Sequence, residues 1–164
     1  MALPLDVEAL EQDYISPRGR PTLGRAYERL LEEWRGGNRD REVVLHLMFL
    51  SWYLLCEPPF LTGIDAERVD TEEFLGVFRE AHDFMRPAIE GDAEALYAIG
   101  LMAHLLPHFW PTLNRSEWDS MANDYRVRYR ALCPQGMSPS VFTSRGAYGK
   151  YFEHQASSGH KDRF

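Results

Sequence analysis

The run Val43–Cys56, VVLHLMFLSWYLLC, constrains this chain most, because its fourteen residues are apolar on nearly every face and only His46 and Ser51 interrupt it. A surface helix needs a polar stripe, and this segment has none. A bilayer crossing needs about 20 such residues, so the run is too short to span a membrane. Asp40 stands in front of it as an N-cap, and Glu57-Pro58-Pro59 stops it because proline lacks an amide donor and restricts the residue before it. The segment therefore reads as a central buried helix, with the rest of the chain wrapped about it.

Helical periodicity supplies the wrapping. Val7, Leu10 and Tyr14 recur at helical spacing within Asp6–Ile15, before Ser16-Pro17-Arg18-Gly19-Arg20-Pro21 breaks the pattern. From a Thr22 cap to Arg35, the residues Leu23, Ala26, Tyr27, Leu30, Leu31 and Trp34 form one apolar stripe, with Glu28, Glu32 and Glu33 turned to water. Residues 58–70 read as a connecting loop, and Thr71-Glu72-Glu73 opens a helix running to about Ile89. Further helices are expected from Ala93 to about Leu106, from Ser116 to about Leu132, and from Ser138-Pro139 to roughly Gln155. Asp40-Arg41-Glu42-Val43 is echoed at Asp92-Ala93-Glu94-Ala95, each beginning a helix after a glycine-bearing turn. No strand alternation is sustained, so the expected class is all-α: a compact bundle of about six to seven helices with a central apolar helix. The expected domain is a single unit over residues 1–156, with a frayed tail at 157–164.

Charge is unevenly spread. Residues 1–96 carry 20 Asp+Glu against 10 Lys+Arg, whereas residues 97–164 carry 5 against 8. Such a division suits an acidic face for a basic partner, and the net charge of -7 opposes long-range steering toward a polyanion. Cys56 and Cys133 match no disulfide framework or zinc spacing and read as free thiols. The opening MALPLDVEALEQDY carries acids and no leader-length apolar run, which points to the cytoplasm.

One stretch carries a family likeness. Gly91, Ala93, Glu94, Ala95, Tyr97, Gly100 and Met102, preceded by Phe78-Arg79-Glu80-Ala81 and Ala88, resemble one hairpin of a Sel-one-like repeat, a relative of the tetratricopeptide repeats. The resemblance spans about residues 74–102 and implies antiparallel helices packed at small residues, a left-handed turn at Gly91, and a scaffold that binds proteins. Ala103 stands where the family has an aromatic, and Leu105-Leu106-Pro107 replaces its glycine-rich loop. The likeness thus implies a repeat-like hairpin within a helical domain.

Motifs for chemistry are missing. His104 and His108 have the four-residue spacing of a metal pair, but Pro107 between them ends the helix that would hold it, so no metal or cofactor is expected. Glu80, His82 and Asp83 fall on different sides of one helix and read as a solvated face; His46 reads as a satisfied core histidine. The chain has no nucleophile elbow, phosphate loop or dinucleotide fingerprint, so no catalytic residues are assigned. Tyr125-Arg126-Val127-Arg128-Tyr129-Arg130 interleaves cations and rings in the manner of a nucleic-acid surface, yet its arginines do not share one face.

These readings converge on a non-catalytic protein that binds another protein, in concrete form an immunity- or antitoxin-like inhibitor of a basic effector. Its expected partner-binding residues are Glu28, Glu32, Glu33, Trp34 and Trp110. The alternative is a small helical enzyme or ligand-binding protein with a pocket near His104 to Trp110; a third option is a homo-oligomer with its aromatics in a self-interface.

Overall fold

Two aspartates start the helices on which the structure is organised. In the computed structural model, which describes residues 3–12, 22–105 and 115–158, Asp40 accepts a hydrogen bond from the Glu42 amide at 3.0 Å and Asp92 accepts one from the Ala95 amide at 2.9 Å. Each side chain satisfies a first-turn N–H that has no partner inside its own helix. The helices among the described residues are α1 (Leu5–Gln12), α2 (Leu23–Arg35), α3 (Arg41–Cys56), α4 (Pro59–Thr62), α5 (Thr71–Met85), α6 (Ala93–Leu105), α7 (Arg115–Leu132) and α8 (Gly146–Ser157). No strand occurs among them, and the class is all-α. No described helix is long and apolar enough to cross a membrane.

The chain divides into two compact units. The first comprises residues 1–84 and the turn Arg145–Tyr148. Its centre is α3, where every residue from Val43 to Trp52 is buried, so the apolar run occupies the place its composition demands. Against it lies the stripe of α2, with Tyr27 edge-on to Phe74 of α5 at a centroid distance of 4.7 Å. The α2 backbone comes so near the connector that a Cβ on Gly24 would sit 3.0 Å from Ile64. In turn α1 packs on α2, where Thr22 Oγ1 donates to the Leu10 carbonyl and Arg29 pairs with Asp6 at 2.5 Å.

The second unit comprises residues 85–144 and 149–164. Here α6 lies along α7, and Ala95 through Ala103 are all buried. Its core is aromatic: the Tyr97 ring lies 5.2 Å from Tyr129, 5.9 Å from Phe142 and 6.1 Å from Phe152. Tyr125 and Tyr129 are core residues, while Arg128 pairs with Glu90 and Asp124. The cation-aromatic interleaving of this helix therefore divides into a buried ring face and a solvated charged face.

Several elements depart from the periodicity reading. The helix expected from Thr71 to about Ile89 stops at Met85 and tightens into a 3-10 turn over Arg86–Gly91, because Pro87 supplies no amide. Gly91 closes that turn without a left-handed φ, so Asp92, not a glycine conformation, starts α6. Residues 58–70 contain α4 and a 3-10 turn at Ala66–Arg68. The last expected helix is two pieces: a 3-10 turn over Pro139–Phe142 and then α8, separated where Ser144 and Gly146 take φ of 60° and 61°. The helices α5 and α6, over which the repeat resemblance runs, fall mainly in different units, α5 through Phe84 in the first and α6 in the second.

Candidate functional site

The outer face of α2 bears the acids singled out by sequence. Glu28 pairs with Arg68 at 2.5 Å, and Arg68 also reaches Glu73 at 2.8 Å. Glu33 pairs with Arg29 and accepts from Asn38 at 2.8 Å; Asn38 and Arg29 together hold its carboxyl below the usual carboxylate range. These two acids are thus engaged within the chain. Glu32 differs, since its side chain is 75% exposed and its contact with Arg29 is a long one at 3.9 Å.

Trp34 points the other way and is buried. The Arg39 guanidinium lies 3.6 Å over its ring, and Phe84 meets it edge-on at 5.8 Å. Its indole N–H is 3.5 Å from Glu80. What reaches solvent here is Phe84, 45% exposed, a residue that periodicity alone would place in the core. Trp110, the remaining predicted residue, lies outside the described residues.

The connector between α3 and α5 carries a feature missed by sequence reading. Phe60 and Leu61 are 61% and 48% exposed on α4, whose position between Pro58 and the left-handed Gly63 turns them outward. Farther along the same segment Asp65, Glu67, Asp70 and Glu72 face solvent, while its one cation, Arg68, is committed to Glu28 and Glu73. Consecutive apolar residues in a proline-bounded loop followed by acids were the available signal.

A second arrangement lies inside the first unit. His46 is fully buried on α3, with Nδ1 3.7 Å from Glu11 Oε1 of α1 and Nε2 3.6 Å from Glu42 Oε2 one turn earlier on its own helix. Glu42 is gripped by Arg145, whose Nε and Nη2 approach its two oxygens at 3.1 and 2.5 Å. Glu11 Oε2 accepts from the Ala147 amide at 2.8 Å, in the first turn of α8. Tyr148 completes the enclosure, its ring 5.0 Å from the imidazole and 5.1 Å from the Arg145 guanidinium carbon. Burial pushes the Glu42 carboxyl up, but His46 and Arg145 outweigh it and hold the group at about 2. For His46, burial opposes the charged ring, yet Glu11 and Glu42 prevail and its pKa is raised. The His46 and Glu11 side chains are almost fully shielded from solvent, whereas Glu42 and Arg145 each keep an exposed edge. Glu42 at four residues before His46 was legible as a helical pair; Glu11 and Arg145, arriving from distant sequence, were not.

The other histidines distribute simply. His82 is buried and lies parallel to Phe78 at 6.4 Å, which corrects the expectation of a solvated side chain there. His104 is exposed and lines a half-open groove of about 250 Å³ with Asp119, Ala122, Asn123 and Arg126, all in the second unit. His108 lies outside the described residues. Among the described residues no three His, Cys, Asp or Glu side chains are grouped to hold a metal ion. Cys56 and Cys133 are free, partly buried thiols, and burial pushes the Cys56 thiol up. Compared with known proteins, the chain matches no family model, no curated protein and no solved structure.

Proposed function

We propose that this protein is a non-catalytic binding module that docks a basic protein partner through the connector between α3 and α5 and the adjoining acidic face of α2. The observation supporting this reading is the pairing of two consecutive exposed apolar side chains, Phe60 and Leu61, with solvent-facing Asp65, Glu67, Asp70 and Glu72 in one segment. Binding energy at protein interfaces concentrates in apolar anchors that lose their water, while a rim of one charge sets encounter rate and partner choice. A basic surface with an apolar pocket fits that chemistry. Glu32 extends the acidic rim from α2, whereas Glu28, Glu33 and Trp34 act by holding the face in shape through Arg68, Arg29 and Arg39. In its concrete form the module is an immunity- or antitoxin-like inhibitor that covers a basic effector, and the repeat-like hairpin belongs to its scaffold.

Capture from native extract at low and high salt tests this. A stoichiometric basic partner, lost with Phe60→Ser/Leu61→Ser and weakened by Glu67→Lys/Glu72→Lys, is the expected result. No stoichiometric partner at low salt, or one indifferent to both double variants, refutes it.

A second reading is supported by the groove beside His104, where Arg126 and Asn123 offer donors and Asp119 an acceptor to a small polar ligand. Chemical-shift changes confined to these residues on adding small carboxylates or amino acids would favour it over the first.

A further inference from the structure

Three separate stretches of chain converge on the His46 ring: Glu11 from α1, Glu42 from its own helix, and the Arg145–Tyr148 turn that opens α8. Among the described residues the charged and titratable groups facing it are Glu11 from α1, Glu42 from α3, and Arg145 with Tyr148 from that turn; Arg41 flanks Glu42 at 3.2 Å. With His46 protonated, each of the two carboxylates faces the positive ring, and Glu42 is further held by Arg145 and Arg41. A neutral imidazole has one bare nitrogen lone pair, and whichever tautomer forms, that lone pair faces a carboxylate. No rotation of the ring avoids this, since both ring nitrogens are flanked.

The distances add a second argument. At 3.6 and 3.7 Å neither carboxylate contact is a hydrogen bond, and among the described residues His46 Nδ1, His46 Nε2 and Glu11 Oε1 have no hydrogen-bond partner. The attraction joining α1 to α3 at this point is therefore Coulombic, and it vanishes with the charge. On its other oxygen Glu11 is held by the Ala147 amide, so loosening Glu11 also frees the start of α8. Gly146 makes that contact possible: a Cβ there would lie 1.9 Å from Glu11 Oε2, and its φ of 61° is one that side-chain-bearing residues rarely adopt.

We propose that His46 is a proton-held latch: while the ring carries both protons it seats the end of α1 and the Arg145–Tyr148 turn on α3, and deprotonation releases both segments while α2 and α3 stay folded. The sign follows from linkage. A ring favoured as the cation in the latched state keeps the latch fully closed below the ordinary histidine value of about 6.5 and gives it up as pH rises through the raised value. Between those two points opening increases by up to about tenfold per pH unit, then levels off.

Hydrogen exchange on the full chain at pH 6, 7.5 and 9, expressed as protection corrected for intrinsic rates, tests the latch. Protection of the Ala147 amide and of α1 should fall by up to about tenfold per pH unit while the amides of α3 hold steady. His46→Gln should flatten that profile, and Gly146→Ala should leave α1 poorly protected at every pH. A flat wild-type profile, or joint loss of protection in α1 and α3, overturns the proposal. If His46→Gln does not fold, the wild-type imidazole titration followed by NMR decides: a ring titrating above 6.5 in step with the Ala147 amide supports the latch, and one titrating at or below 6.5, or out of step, overturns it.

Discussion

The two units solve the same packing problem with different physics. In the second, Tyr97, Tyr129, Phe142 and Phe152 fill the core with rings at 5.2 to 6.1 Å, an interaction indifferent to protons. In the first, an apolar helix of the same kind carries a buried ring between two carboxylates and closes the enclosure with Arg145. Apolar packing tolerates a change of pH, and a buried charge set does not. The contrast sets a core held by ring packing against one that includes a buried cluster of titratable groups, the proposed latch.

The largest expected effect tests the apolar half of that contrast. Phe152 is fully buried among Tyr97, Phe142 and Tyr151, so Phe152→Ala should cost about 3–5 kcal/mol through lost burial and the cavity left behind. Denaturant unfolding of α6 and α7, followed by amide signals, should show the same loss at pH 6 and pH 9. A loss that varies with pH would break the comparison.

Next comes the charged half. Arg145→Met removes the bidentate partner of Glu42 and leaves that carboxylate to His46 and the part-exposed Arg41, a change expected to cost about 3 kcal/mol. Its signature is in acid. Glu42 is held at about 2, so its contribution is present above the ordinary carboxylate value near 4.5 and is lost as pH falls through 2. Partial exposure limits that contribution to about 1–2 kcal/mol after solvent screening. In Arg145→Met the carboxyl should titrate closer to its ordinary value, read from its side-chain carbon resonance; an unmoved titration would contradict the assignment.

Smaller still, Asp40→Ala should cost about 1 kcal/mol by orphaning the first-turn amide of Glu42, the capping bond on which α3 begins. Smallest is Glu28→Gln, which breaks a half-exposed pair with Arg68 and should change stability by less than about 1 kcal/mol, an amount that salt should erase. Urea midpoints at low and high salt separate these two.

Helix α3 was legible almost to the residue, because Asp40 and Pro58 are local signals and the apolar run between them has only one place to go. The stripe of α2 was legible for the same reason, and it placed Trp34 on the buried side, although the acids around it turned out to be tied by arginines that reach from other elements. Less visible was the break before α8. There Glu11, a residue more than a hundred positions earlier, brings a carboxylate that leaves room only for glycine at 146. Periodicity reports which face of a helix is apolar, and it is silent about which distant charge arrives at that face.

Sequence by itself determined the all-α class, the burial of the Val43–Trp52 run at the centre of the first unit and the capped starts of α3 and α6, since these depend on interactions within a few residues of one another. Tertiary structure alone decided that His46 lies between the carboxyl groups of Glu11 and Glu42, that Phe60 and Leu61 face water, and that α8 begins at Gly146. Each of those outcomes depends on through-space distances of a few ångströms between residues far apart in the chain, or on the turning of a short connector, and no local pattern encodes either.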